Sequence, residues 1–138
     1  MSKSAQDAKT IIDQQPICTL ITVDENSAPV ERAMFTAKVD KDLTIYFGTH
    51  VDSHKARQIA ANCGVVVVWP IDKGFLAVQG NAELLYDQPV KDHVWHTEFA
   101  SHFPGGSSDP NFVVIKVCPV VGSFYQAGTM EPEEICLG

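Results

Sequence analysis

The stretch "VVVVW", residues 65–69, constrains the fold more than any other. Four β-branched residues followed by tryptophan have no polar face to turn toward water, so they require a strand covered on both sides. Runs of related character recur at "ICTLITV" (17–23), "LTIYFGT" (43–49), "FLAVQGNAELLY" (75–86) and "FVVIKV" (112–117), the last able to continue through 120–125. "VERAMFTAKV" (30–39) follows the turn residues Asp24-Glu25-Asn26-Ser27 and pairs with 17–23 as a hairpin. Its alternation sets Ala33, Phe35, Ala37 and Val39 on one face and Arg32, Met34 and Thr36 on the other. Gly80, inside the fifth run, marks a bulge or a sharp barrel bend.

Helical patterns are few. One covers 4–14, with Ser4 as a cap and Ile11 and Ile12 on its apolar side. One follows the third strand, with Ala56, Ile59, Ala60 and Cys63 at helical spacing and Gly64 as a left-handed stop. A third covers 88–101 and turns Val90, Val94, Trp95 and Phe99 inward. A doubly wound fold would need a helix after nearly every strand, so the expected class is mainly β: a six-stranded β-barrel with a few helices. Residues 1–138 form one domain in this reading, with 1–15 as an N-terminal helix and 126–138 as a C-terminal tail. "FPGGSSDPN" (103–111) reads as a flexible lid.

With a formal charge of −7 and a pI near 5.0, the chain lacks the broad basic face that nucleic acid requires. No apolar run is long enough to span a bilayer, and the start has no charged segment leading into an apolar one, so the expected compartment is the cytoplasm, without a membrane partner. The four cysteines form no CxxC pair; Cys18 and Cys118 sit in apolar runs as small core residues.

Against that acidic background, "FGTHVDSHKARQIAANCG" (47–64) gathers Thr49, Ser53, His54, Lys55 and Arg57 at the mouth of one helix. A helix N-terminus exposes unpaired N–H groups and the positive end of the peptide dipole, and both favour a phosphate. Taken alone, the stretch reads first as an ordinary capped helix, because caps are far commoner than ligand sites. Arg32 shifts the balance. It is one of only two arginines, and if the second and third strands are adjacent it can meet Thr49 and Ser53 across the sheet. One guanidinium, one ammonium, two hydroxyls and a helix terminus make a phosphate grip.

The order of "ERAMF", "LTIYFGTHVDSHKARQIAANCGVVVVW" and "VQGNAELL" resembles the pyridoxamine 5′-phosphate oxidase-like family of FMN-binding split β-barrels, in particular its small general-stress-protein members. The similarity runs from about Pro16 to Tyr125. In such proteins two chains form a homodimer with FMN at the interface. The resemblance implies that Arg32 and Lys55 hold the FMN phosphate and that Thr49 and Ser53 add hydrogen bonds. It also implies that the backbone of Arg32, Ala33 and Met34 runs beside the flavin ring, and that Gly48 permits close approach near the ribityl chain. His54 stands where the vitamin-making oxidases carry arginine, and Phe75 where they carry a glutamine that contacts FMN. Their C-terminal tryptophan and arginine–histidine pair have no counterpart in "QAGTMEPEEICLG", so oxidation of pyridoxamine phosphate is not expected. Relatives in the superfamily bind F420, which asks for more cations than this chain offers, or haem, which asks for an axial ligand.

No metal is expected. His93, His96 and Glu98 share a helix, but a solvated face explains them, and His50 precedes the helix that carries His54. Trp69 and Trp95 read as core. No side chain is nominated as catalytic. A flavin-dependent oxidoreductase on an unidentified small molecule therefore stands beside a flavin- or haem-binding protein without turnover.

Overall fold

A computed structural model describes residues 3–137. Eight strands alternate with three α-helices in the order α1 (Ala5–Gln14), β1 (Ile17–Val23), β2 (Pro29–Phe35), β3 (Lys38–Val39), β4 (Ile45–His50), α2 (His54–Ala61), β5 (Gly64–Ile71), β6 (Gly74–Leu85), α3 (Gln88–Val94), β7 (Phe112–Gln126) and β8 (Glu133–Ile135). The strands form one antiparallel sheet in the order β2-β1-β5-β6-β7-β4-β3, with β8 added to β7. The sheet curls into an open barrel, and the mainly β expectation holds.

The strand count differs from six for two reasons. The 30–39 run breaks at Thr36-Ala37: β2 pairs with β1 at one end of the sheet, whereas β3 pairs with β4 at the other. Thr36 anchors the break, its N–H donating to the Pro16 carbonyl (2.8 Å) and its Oγ1 accepting from the buried Trp69 Nε1 (3.1 Å). The second addition comes from the supposed tail, where Glu133–Ile135 pairs with Gly122–Phe124. Ile135 is buried against Gly122, whose missing Cβ would lie 3.0 Å from it.

Alternation sorts the core. Leu20, Ile45, Phe47, Val67, Trp69, Leu76, Val78, Ile115 and Val117 fill the barrel, and Ala8 and Ile12 of α1 pack on it. Phe112 and Val114 point to the other face of β7 and meet a second cluster containing Val94, Phe99 and Phe103. That is why four consecutive residues, Phe112 to Ile115, are all buried. Cys18 lies in the barrel core, and burial pushes its thiol pKa up to about 11, making it a packing residue and a poor nucleophile.

Three local expectations need correction. Helix α2 ends at Ala61 with Asn62 as its C-cap; Gly64 begins β5 and does not adopt the left-handed region. The 88–101 helix stops at Val94, where Trp95 leaves helical geometry (φ −52°, ψ 135°), and a 3₁₀ turn covers Thr97–Phe99. That break lets Trp95 and Phe99 both reach Phe112, at ring separations of 5.2 and 5.6 Å. The supposed lid is tied down: the Asp109 carboxylate accepts from the Gly105 and Asn111 amides (3.0 and 2.9 Å), and Ser107 Oγ donates to Asp92 (2.7 Å). No helix among the described residues is long and apolar enough to cross a membrane.

The bulge expected at Gly80 is present. The β6–β7 register shifts between Gln79 and Gly80, skipping Val120 next to Pro119. A Cβ on Gly80 would lie 2.4 Å from the Cys118 carbonyl oxygen, which is backbone and cannot swing aside. Gly80→Ala is expected to destabilise the fold by about 1–3 kcal/mol, the usual cost of overpacking. Urea unfolding measures this, and an unchanged midpoint would contradict the close approach.

Candidate functional site

Two strand edges face each other where the barrel stays open. On β2, the Thr36-to-Pro16 bond and the Ile17↔Phe35 register set the antiparallel alternation. The backbone groups of Arg32 and Met34 turn onto β1, and those of Ala33 and Phe35 turn away from it. On β4, Val51 N–H donates to the Asn111 carbonyl (2.9 Å), continuing the β4–β7 register. By the same alternation Ile45, Phe47 and Thr49 bond toward β7, and Gly48 and His50 present their backbone groups to the gap. Ala33, Phe35, Gly48 and His50 all line one cleft of about 460 Å³, a size within the usual range for small-molecule sites.

The cleft has a cationic end. Lys55, on the first turn of α2, lines it and donates from Nζ to Thr49 Oγ1 (3.1 Å). Thr49 Oγ1 donates in turn to Ser53 Oγ (3.2 Å), which also accepts from the Ala56 amide (3.2 Å). Ser53 is therefore a true N-cap, and the capping and phosphate readings of this residue coexist. With both lone pairs engaged, its own hydroxyl hydrogen is left as a donor.

Arg32 and Ser53 lie outside the cleft lining, and Arg32 comes near Lys55 by a route other than the one expected. Strands β2 and β4 are not hydrogen-bonded neighbours, so there is no cross-sheet meeting with Thr49. Its guanidinium instead reaches α2, donating from Nη2 to Gln58 Oε1 (3.0 Å) and from Nη1 to Thr22 Oγ1 (2.7 Å) and the Leu20 carbonyl (3.3 Å). It is near enough to Lys55 to repel it. Burial and the neighbouring Arg32 charge hold the Lys55 pKa below its ordinary value, and burial lowers that of Arg32, with Glu31 opposing. The ion pairs among the described residues are Lys9–Asp13 and Lys116–Glu83, so neither cation has a carboxylate within 4.0 Å.

Met34 lines the cleft and packs on the barrel core. Gly48 borders the cleft with its backbone, but the space its side chain would take belongs to the chain's own rings: a Cβ would lie 2.6 Å from Phe112 and 2.9 Å from Phe99. His54 is placed apart, in a separate groove with Glu25, Arg57 and Gln58. One helical residue turns about 100°, so His54 and Lys55 cannot face the same ligand closely. Phe75 stacks on its cross-strand partner Tyr125 (5.5 Å), outside the cleft lining.

The sequence reading missed the walls. Phe35, Phe99 and Phe103 supply apolar surface, and His50, Glu98 and His102 supply titratable groups. Phe35 reads as one face of a strand, Phe99 as inward-facing and Phe103 as the start of the lid, and alternation alone does not say which of them border an opening. His50 stacks on Phe103 (6.5 Å, 24°), and its Nδ1 accepts from the Asp52 amide (3.1 Å), which puts the ring hydrogen of the neutral form on Nε2. Trp95 is partly buried and packs against the cluster of Phe99, Phe103 and Phe112, outside the cleft lining. His93 and His96 turn to different rings, those of Tyr46 and Phe35.

The arrangement can do one thing well: hold a planar molecule with a hydrogen-bonding rim and a terminal oxyanion. Backbone groups serve the rim, phenyl rings the faces, and Lys55, Ser53 and Arg32 the charge. FMN has this form, so the residues present fit it.

Without an anion the paired cations are a liability. Because the ammonium is the penalised form, its cost is fully present at neutral pH and fades as pH rises from the lowered Lys55 pKa toward 10.5. Lys55→Met is expected to raise the melting temperature of flavin-free protein at pH 7, by up to about 1 kcal/mol in stability after solvent screening. The gain over wild type should shrink near pH 10.5. Calorimetry at both pH values checks this, and a destabilised variant at pH 7 would contradict it.

Comparison with known proteins agrees with this geometry. The family model "Pyridoxamine 5'-phosphate oxidase like" matches residues 3–132. General stress protein 26 of Bacillus subtilis (strain 168) is 29% identical over 127 residues, covering 88% of both chains. A crystal structure from Clostridium acetobutylicum, of a protein related to general stress protein 26 of the pyridoxinephosphate oxidase family, superposes with a TM-score of 0.82 at 20% identity. That match covers 94% of this chain and 92% of the other. A heme binding protein from Mycobacterium smegmatis superposes at 0.74 with 13% identity, over 97% of this chain and 59% of that one, and shares the fold alone.

Proposed function

From the premise that this chain belongs to the pyridoxamine 5′-phosphate oxidase-like family, we propose that it binds FMN in the cleft between β2 and β4 and acts as a flavin-dependent oxidoreductase on a small molecule. In this reading two chains pair as a cytoplasmic homodimer with the cofactor at their interface. The carrying observation is the Arg32–Lys55 pair, two partly desolvated cations without a carboxylate beside the capped N-terminus of α2. A phosphate monoester relieves their repulsion and takes the free donors of Ser53 and α2.

When bound, FMN supplies hydride or electron transfer. This chain's residues hold and screen it. Lys55 and Arg32 would hold the phosphate end, and the β2 and β4 edges would flank the ring. The outward amides of Ala33, Phe35 and Gly48 can hydrogen-bond its heteroatoms, and Phe35, Phe99 and Phe103 keep water from one side of the cleft. His50 carries an Nε2 hydrogen that can be shared with a molecule bound there.

F420 is a weaker fit, because Glu98 lines the cleft where further cations would be wanted. Haem has one observation in its favour, that His50 and His102 both border the cleft, and one against it, since the Asp52 amide bond to His50 Nδ1 leaves a hydrogen and no lone pair on Nε2. A visible spectrum after addition of each cofactor separates the three.

The purified protein is expected to be yellow or to turn yellow with FMN and to elute as a dimer. Lys55→Ala and Arg32→Ala should each weaken FMN binding by about 1.5–3 kcal/mol, the range for a hydrogen bond to a charged group. Unchanged affinity in both variants, measured by flavin fluorescence quenching, would remove the phosphate assignment. NADH and NADPH then test turnover. Bleaching of the flavin band favours the oxidoreductase, and persistent colour with either nucleotide favours a binding protein without turnover.

A further inference from the structure

Three acceptors surround Arg32, and their placement on the guanidinium is specific. Thr22 Oγ1 and Gln58 Oε1 are themselves hydrogen-bonded, and they take one N–H each from Nη1 and Nη2. Together they occupy the end of the fork. The Leu20 carbonyl takes the other Nη1 hydrogen. Of the five guanidinium hydrogens, those left are on Nε and the outer side of Nη2. These two lie parallel within the guanidinium plane, along the one edge that can grip two oxygens of a carboxylate or phosphate at once.

We infer that Thr22 and Gln58 are positioning residues that clamp Arg32 by its end and present its Nε/Nη2 edge to a terminal phosphate, making the cleft selective for FMN over riboflavin. Thr22 is fully buried, so a hydroxyl there needs a partner and its bonds have little competition from water. Gln58 stands three residues after Lys55 on α2, one turn along the same side. The clamp therefore ties the helix that carries the ammonium to the strands that carry the guanidinium, and both cations keep one spacing. Arginine in the unclamped state would rotate about its four side-chain bonds, and Lys55 would push it toward solvent.

This assignment rests on the flavin reading only for the identity of the ligand. The test compares FMN and riboflavin affinities, by fluorescence quenching, for wild type, Gln58→Leu, Thr22→Val and Thr22→Ser. Wild type should prefer FMN. Gln58→Leu and Thr22→Val should each lose FMN affinity by about tenfold or more while riboflavin affinity stays level, and Thr22→Ser should restore the preference. Unchanged selectivity in both variants, or equal losses for both flavins, overturns the inference. A wild-type chain that takes neither flavin sinks the flavin reading instead. Inorganic phosphate is then the probe, followed through the Arg32 Nε–H signal in ¹H–¹⁵N spectra, which the two arginines of the chain leave simple to assign. The positioning role stands if phosphate shifts that signal in wild type and Thr22→Ser but not in Gln58→Leu, and falls if it shifts all of them or none.

Discussion

The break at Thr36-Ala37 is the constraint on which the rest of the structure depends. A strand can pair on two sides, but β2 pairs on one side only, because the chain leaves β1 at Thr36 and crosses to the far end of the sheet to meet β4. The buried bond from Trp69 to Thr36 and the Thr36 bond to Pro16 hold that crossing in place. Its consequence is a barrel that cannot zip shut. The backbone groups of Ala33, Phe35 and Gly48 face a gap in which the ladder offers them no partner, while the His50 carbonyl is taken by the Ser53 N–H (3.0 Å). In an interior this would be costly; at an opening it becomes a recognition surface.

The aromatic cluster beside the gap gives it depth. Phe112 looks away from the barrel, and α3 ends early so that Trp95 and Phe99 can close around it. Gly48 belongs to this arrangement. Glycine there admits Phe112 and Phe99 against the back of β4, and a larger residue would push them into the cleft. The resemblance assigned Gly48 to close approach by the ligand; packing within the chain accounts for it as well, and both need the same missing side chain.

Much of this was legible from residue pattern. β-branched runs bounded by turn residues marked the strands, Gly80 marked the bulge, and Ser53 before an apolar periodicity marked α2. The break within 30–39 was not legible, since Phe35-Thr36-Ala37 alternates as a continuous strand should, and only the pairing of Lys38 with Tyr46 reveals the switch. For the same reason the path of Arg32 is not legible in the sequence, because chain order suggests neighbours that the sheet order separates. Thr22 passed as one more β-former in "ICTLITV". Gln58 lies in the same motif as Lys55, and its i,i+3 spacing from Lys55 is the only sign in the sequence of a shared role. His54 could have been set apart from Lys55 by helix geometry alone.

Several local preferences are violated within one small region. Lysine occupies the first turn of α2, where the peptide dipole favours an acid, and the first turn holds no acid at all. A second cation is held within repelling distance of it. A threonine hydroxyl is buried at Thr22, at a position that valine would fill without needing a hydrogen bond. The two cations are unfavourable together in the isolated chain, and Thr22 is bonded to one of them. A sequence selected for stability alone would scatter such departures or remove them, since each is one substitution from relief. Their convergence is explained if a doubly charged oxyanion is part of the folded, working molecule, for then the two cations gain their missing counterpart at once and the Thr22 hydroxyl serves to hold one of them.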